Sequence, residues 1–187
     1  MTRLHLVRHG PTHAKTMVGW SDLPADLSDT AALARLAAHL PHAPVISSDL
    51  SRAVATADAL TGARPRLLHD ADLREINFGA WELLTHSEVA DQAHIRAYWE
   101  QPGDIAPPGG ESWNMLCARV NGALDRLMQT HRGDLIVVVH FGVILTQVQR
   151  ALGLSPYAAF AHKIDNLSVT TLSFDSGRQE ISINHKP

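Results

Sequence analysis

The sequence predicts an α/β protein: a three-layer α/β/α arrangement with a mostly parallel central sheet and an antiparallel hairpin at one edge. Three observations carry that expectation. Short apolar runs ("RLHLV", "PVIS", "LIVVV") alternate with helical patterns, the arrangement that joins parallel strands through crossover helices. Those runs are continuously apolar, as in strands covered on both faces. Near the C-terminus, "LSVTTLSFDSGRQEISIN" alternates with period two around "DSG", which reads as a hairpin turn.

Each element has its own local reason. "RLHLV" is a buried strand that runs into "RHG". "SDTAALARLAAHL" is a helix with an alanine-leucine face and Ser28 as its expected N-cap. "PVIS" is a second strand, and "SDLSRAVATADAL" a second helix capped by Ser48 or Asp49. "PRLL" is a candidate third strand. Between Asp70 and Gly110 the pattern is irregular and leaves room for one helix near Ser87 to Trp99. "ESWNMLCARVNGALDRLMQTH" is a long amphipathic helix leading into "LIVVV". "VILTQVQRALG" is a helix ended by Gly153.

Composition narrows the class. A chain of 187 residues suits one domain spanning 1–187, and 45% apolar with 19% charged residues suits a globular protein. A formal net charge of −3 argues against nucleic acid or an anionic membrane as the main partner. Anion binding must then come from a local basic site. Cys117 is the one cysteine, so neither an internal disulfide nor a cysteine-based metal site is expected. The strand pattern begins within three residues of Met1, leaving no room for a signal peptide, and no apolar run approaches the roughly 18 residues of a membrane span. The expected setting is the reducing cytoplasm.

Twelve histidines raise the question of a metal. His5, His9 and His13 recur at spacings of four, but that spacing aligns ligands only on a helix, and here it crosses a strand and then "GP". Without HExxH or a Cys/His cluster, no metal site and no cofactor are expected.

Two strands end on a histidine followed closely by glycine: "LHLVRHG" on His9 and Gly10, "LIVVVHFG" on His140 and Gly142. In open α/β sheets, ligands bind beyond the carboxyl ends of the parallel strands. The glycines would let backbone pass close to a ligand, and the helix behind Gly142 would aim unpaired N–H groups at the same place. Arg52, near the start of the second helix, opposes the helix dipole unless something negative faces it, either Asp49 or a bound anion. Arg8, His9, Arg52 and His140 together would make a positive cluster suited to phosphate.

"LVRHGPT", "SSDLSRAVATA", "LREINFGAWE", "PPGGES" and "VVVHFGVI" stand in the order found in the histidine phosphatase superfamily, the phosphoglycerate-mutase-like enzymes, and the resemblance spans Leu6 to about Ile144. It implies that His9 is the nucleophile that becomes transiently phosphorylated and that Arg8 and Arg52 clamp the phosphoryl group. It further implies that His140 is a second pocket histidine, that Glu75 is the general acid, and that the backbone N–H of Phe141 or Gly142 completes the pocket. Arginines and a protonated His140 would stabilise the transferring group without Mg²⁺. Neighbouring cations would keep His9 neutral, and apolar neighbours would keep Glu75 protonated, with Ile76, Phe78 and Trp81 as candidates. Alternatively, Glu75 pairs with Arg74; Glu82 is the competing acid.

Three positions depart from the resemblance. Lys15 stands where asparagine is usual, Leu83 replaces the glycine of "WEG", and Ala31 replaces a helix glycine. The short stretch from Glu82 to Gly110 favours hydrolysis over the retransfer of a mutase. The expected substrate is a small-molecule phosphate ester, with alpha-ribazole phosphate or sugar and nucleotide phosphates as candidates. Its contacts are expected among Lys15, Trp20, Trp81, Trp99, Glu111 and Ser112, although packing for the tryptophans and helix capping for Ser112 are open alternatives. A phosphoprotein phosphatase and a non-catalytic phosphate-binding module are the competing classes. The edge hairpin either pairs with a second subunit as a homodimer or stays solvated.

Overall fold

The computed structural model describes residues 2–173 and 181–187. Five strands form one sheet in the order β2-β3-β1-β4-β5: β1 (Thr2–Arg8), β2 (Val45–Ser47), β3 (Gly133–Val139), β4 (Val169–Ser173) and β5 (Ile181–His185). β1 and β2 each pair parallel with β3, while β4 runs antiparallel to β1 and β5 antiparallel to β4. The expected mixed sheet with an antiparallel edge is present. The "DSG" turn lies outside the described residues.

The helices are α1 (Thr30–His39), α2 (Ser51–Thr61), α3 (Gln92–Glu100), α4 (Trp113–Thr130), α5 (Phe141–Leu152) and the short α6 (Pro156–Ala159). Strand alternation separates two cores. Leu135, Val137 and Val139 of β3 pack with α3, α4 and α5. Ile136 and Val138, pointing the other way, pack with α1 and α2. Every one of these β3 side chains is fully buried, which is why the run carries no polar alternation.

Several local expectations need correction. Asp29, not Ser28, caps α1 by accepting from the Ala32 N–H at 2.9 Å, and one position earlier the Ser28 N–H donates to Asp26. Neither Ser48 nor Asp49 caps α2. Leu50 occupies the N-cap and makes no side-chain cap bond, while Asp22 accepts the Ser51 N–H from across a loop at 2.7 Å. "PRLL" forms only a bridge between Arg66 and Val45. The helix anticipated near Ser87 begins at Gln92, capped by Asp91, after a separate 3-10 turn over His86–Glu88. α4 is capped by Ser112 as the sequence allows, and α5 ends at Gly153 in the left-handed conformation.

Candidate active site

Strand register assembles the centre of the site. Arg8 lies opposite Val139 on the parallel neighbour, so the next residues, His9 and His140, leave the sheet side by side. The His9 N–H donates to the Val139 carbonyl at 3.0 Å, and the two imidazole centroids are 5.1 Å apart. β2 pairs Ser47 with Val138, which delivers Ser48 to the same edge, and its hydroxyl lies 2.6 Å from His140 Nε2. Ser48 is buried because it partners a histidine, a role that its sequence neighbourhood disguises as a helix cap.

His9 Nδ1 lies 2.6 Å from the carbonyl of Gly10. A carbonyl only accepts, so Nδ1 carries the proton and Nε2 keeps its lone pair. Burial lowers the His9 pKa to about 3, with Arg52 and Arg8 adding to the effect against the Gly10 carbonyl. The neutral form follows chiefly from desolvation, and the cations expected to enforce it are secondary. His140 is completely buried and is also pushed well below the ordinary histidine range, first by burial and then by His9, Arg52, Arg119 and Arg8. The expectation of a protonated His140 therefore does not describe the unliganded pocket.

The arginines are held from behind. Arg52 is only 1% exposed and donates Nη2 to the Gly19 carbonyl at 2.6 Å and Nη1 to the Ser21 carbonyl at 2.8 Å. Asp49 is not its partner; Asp49 pairs with Arg74, and this removes both simple alternatives, the Asp49–Arg52 pair and the Arg74–Glu75 pair. Arg8 donates Nη1 to the Ile164 carbonyl at 2.6 Å and lies over the Phe141 ring at 5.2 Å. Among the described residues, buried Arg8 Nε and His140 Nδ1 have no hydrogen-bond partner. Two unpartnered buried nitrogens beside two arginines suit an anion with several acceptor oxygens.

Glu75 and Glu82 show how environment separates two carboxyls. Burial raises the Glu75 pKa, and the Ile76 and Gly142 N–H groups, Arg52 and Arg8 only partly oppose it. Burial also pushes Glu82 up, but its carboxylate accepts from the Ser21 hydroxyl and from the N–H groups of Phe78, Trp20 and Gly19, and these outweigh it. Glu82 thus stays ionised and ties down the 19–21 loop whose carbonyls seat Arg52. Of the two carboxyls, Glu75 is the one whose pKa is raised, the direction that favours carrying a proton. Ile76 and Phe78 are buried and line the same pocket as Glu75, whereas Trp81 is not among the residues lining it and packs edge-to-face on Tyr98.

The reason for Gly142 differs from the expected one. A Cβ there would overlap Glu75 Oε1, and the Gly142 N–H donates to Glu75 Oε2 at 3.1 Å. Its missing side chain makes room for the acid, and its N–H is committed to it. Gly10 likewise serves packing, since a Cβ would press on Leu27 and the Asp26 carbonyl.

Arg119 was not singled out in the sequence. It donates to the backbone carbonyls of Asp72, Arg74 and Glu75 and to both oxygens of Glu111, engaging all five of its N–H donors. It is three residues past buried Leu116 and one before buried Val120, and that place near the core-facing side of α4 was the available signal. Glu111 is therefore a clamp on the acid-bearing loop: it pairs with Arg119 and accepts the Asn77 N–H at 2.9 Å. Trp20 supports the same loop by donating Nε1 to the Glu75 carbonyl at 2.9 Å, with the Arg74 guanidinium 4.9 Å above its ring. Ser112 caps α4. Lys15 is exposed and pairs with none of the described residues. Leu83 has φ of 64°, so this position keeps the backbone shape that glycine favours while carrying a side chain. No group of three or more His, Cys, Asp or Glu among the described residues is arranged to hold a metal ion.

A neutral histidine beside two anchored arginines and a buried carboxyl, at the carboxyl edge of the parallel strands, makes a cationic pocket suited to an anion. The family model of the histidine phosphatase superfamily (branch 1) matches residues 4–185, and the chain belongs to that superfamily. Among curated relatives, the bifunctional protein Rv2228c of Mycobacterium tuberculosis is 33% identical over 191 residues, covering 92% of this chain and 50% of the relative. The chain thus spans about half the length of that relative. The metal-independent phosphoserine phosphatase of Arabidopsis thaliana is 32% identical over 184 residues, covering 92% of this chain and 76% of the relative. Among solved structures, Bacillus stearothermophilus YhfR superposes with a TM-score of 0.87 at 27% identity, covering 98% of this chain and 96% of that one.

Proposed function

We propose that the protein is a metal-independent phosphomonoester hydrolase that acts through a phosphohistidine intermediate on a small-molecule ester in the cytoplasm. The observation that carries this reading is the tautomer of His9: Nδ1–H is spent on the Gly10 carbonyl, and the neutral ring presents Nε2 next to Arg8 and Arg52. In the first step Nε2 attacks phosphorus, the bond from phosphorus to the ester oxygen breaks, and protonated Glu75 gives its proton to the leaving oxygen. In the second, ionised Glu75 takes a proton from water, whose oxygen attacks phosphorus and releases His9 and inorganic phosphate. Arg8, Arg52 and His140 stabilise charge on the equatorial oxygens throughout.

The test is hydrolysis of p-nitrophenyl phosphate in excess EDTA, wild type beside His9→Ala, with acid-labile phosphoenzyme trapped by rapid quench. Activity and a trapped phosphohistidine in the wild type alone are expected. Equal activity in both proteins removes His9 as nucleophile, and a strict requirement for a divalent metal removes the mechanism. Alpha-ribazole phosphate heads the substrate screen that follows.

A further inference from the structure

Next to Glu75 lies a cavity of about 250 Å³ whose walls are aromatic: Phe78, Tyr98, Trp99, Trp113, Phe141 and Phe160. The rings hold one another edge-on. Trp113 meets Phe160 at 4.8 Å with planes at 90°, and Tyr98 meets Trp99 at 4.9 Å and 82°. Phe141 belongs to both compartments, lining the cavity and lying under the Arg8 guanidinium. The general acid sits at the boundary between them. An ester whose phosphoryl group rests on Arg8, Arg52 and His9 would place its ester oxygen at Glu75 and its alcohol in the aromatic cavity.

Apart from Arg8, which the phosphatase reading assigns to the phosphoryl group, the arginines next to the Glu75 loop already have partners. Among the described residues that line the cavity, Glu75 is the sole Asp, Glu, Lys or Arg. Arg119 spends every donor on Glu111 and on backbone carbonyls, Arg74 is paired with Asp49, and Arg52 is anchored to the Gly19 and Ser21 carbonyls. The Trp113 N–H donates to Gln149 at 2.6 Å, and the Tyr98 phenol is held neutral by burial and by the nearby Glu75 and Glu111. A carboxylate or ammonium on the alcohol would lose its water here without gaining a partner.

Resting on the phosphatase reading above, we infer that this chain selects phosphate esters of uncharged, one- or two-ring or branched apolar alcohols. It discriminates against alcohols that carry a carboxylate, including O-phosphoserine, the compound in the name of its Arabidopsis relative. Burial of one ring against such walls is worth roughly 10- to 100-fold in kcat/KM, carried mainly by KM because ground state and transition state share the contact.

Benzyl phosphate, ethyl phosphate and O-phosphoserine all release alkoxides, so comparing them isolates the cavity from leaving-group chemistry. The expected order of kcat/KM is benzyl well above ethyl, with O-phosphoserine no better than ethyl. Benzyl equal to ethyl, or O-phosphoserine equal to or above benzyl, overturns the inference and leaves the phosphatase reading intact. If none of the three, nor p-nitrophenyl phosphate, is hydrolysed, both fall together. Phe160→Arg supplies a cation at the cavity wall, and its benzyl-to-phosphoserine ratio should drop about tenfold or more. Because that ratio is taken within one preparation, a reduced folded fraction cancels, and an unchanged ratio counts against the cavity as the specificity site.

Discussion

The two strand ends that look alike in sequence, "VRHG" and "VHFG", do different physical work. At the end of β1 the chain leaves the sheet as a loop; His9 bonds to the carbonyl of its own neighbour, and Gly10 yields space to Leu27. At the end of β3 the chain enters α5 directly, with His140 as N-cap, its ring against Ser48, and Gly142 yielding space to the Glu75 carboxyl. One end is built to present a lone pair; the other holds an acid and a buried imidazole that has an unpartnered nitrogen. A repeated motif thus encodes shared strand register rather than shared chemistry.

Loss of the two rings should expose that asymmetry most strongly. His9→Ala is expected to reduce turnover ~10,000-fold or more, since no covalent intermediate can form. His140→Ala should retain phosphoenzyme formation at a rate reduced ~100- to 1,000-fold, as for removal of one charge-stabilising donor. Rapid-quench trapping checks both, and phosphoenzyme in His9→Ala would reverse the assignment of roles. Because the His9 pKa lies near 3, activity should also persist well below pH 6.5. The alkaline limb should instead reflect deprotonation of Glu75, whose raised pKa keeps the acid loaded up to a higher pH than an ordinary glutamate allows. A Glu75→Gln variant should lose that limb.

The glycines give the next contrast. Gly142→Ala places a methyl group on the Glu75 carboxyl, so turnover of alkyl esters should fall ~100-fold, with a smaller loss for p-nitrophenyl phosphate, whose leaving group needs less protonation. Gly10→Ala should act on stability instead, lowering it by about 1–3 kcal/mol through overpacking against Leu27 and the Asp26 carbonyl. Thermal melts and a two-substrate assay separate the cases. A Gly142→Ala protein with equal losses on both esters would deny the link between that glycine and the acid.

Much of this division is legible in the amino-acid sequence. Strand runs that end on His9 and His140 fix the sheet edge, and the apolar period of α4 fixes its buried face, because both follow from local pattern and burial. The grouping of His9, Arg8, Arg52, Glu75 and His140 follows from ordered motifs rather than from spacing. What is not legible depends on contacts distant in sequence. Ser48 reads as a cap until the register of β2 sets it against His140. Glu111 and Trp20 read as substrate contacts until Arg119 and the Glu75 carbonyl claim them. The left-handed backbone at Leu83 is hinted at only by the glycine that the resemblance puts there, since leucine itself does not advertise it.

The smallest expected effect tests whether the two histidines differ in protonation as well as in position. In the free pocket both are neutral, held so by burial and neighbouring cations. A bound dianion lowers the field of Arg8 and Arg52 and offers an acceptor to His140 Nδ1, so protonation of His140 becomes favourable, whereas His9 must stay neutral to attack. Binding should then be linked to proton uptake at His140, and affinity should fall as pH rises. Tungstate, which does not itself titrate near neutrality, is the suitable probe. Calorimetry at pH 7.5 in buffers of different ionisation enthalpy should report uptake of up to one proton per site. That uptake should disappear in His140→Gln and persist in Glu75→Gln. If it disappears in Glu75→Gln instead, the acid is the group that titrates on binding, and His140 stabilises the phosphoryl group as a neutral donor.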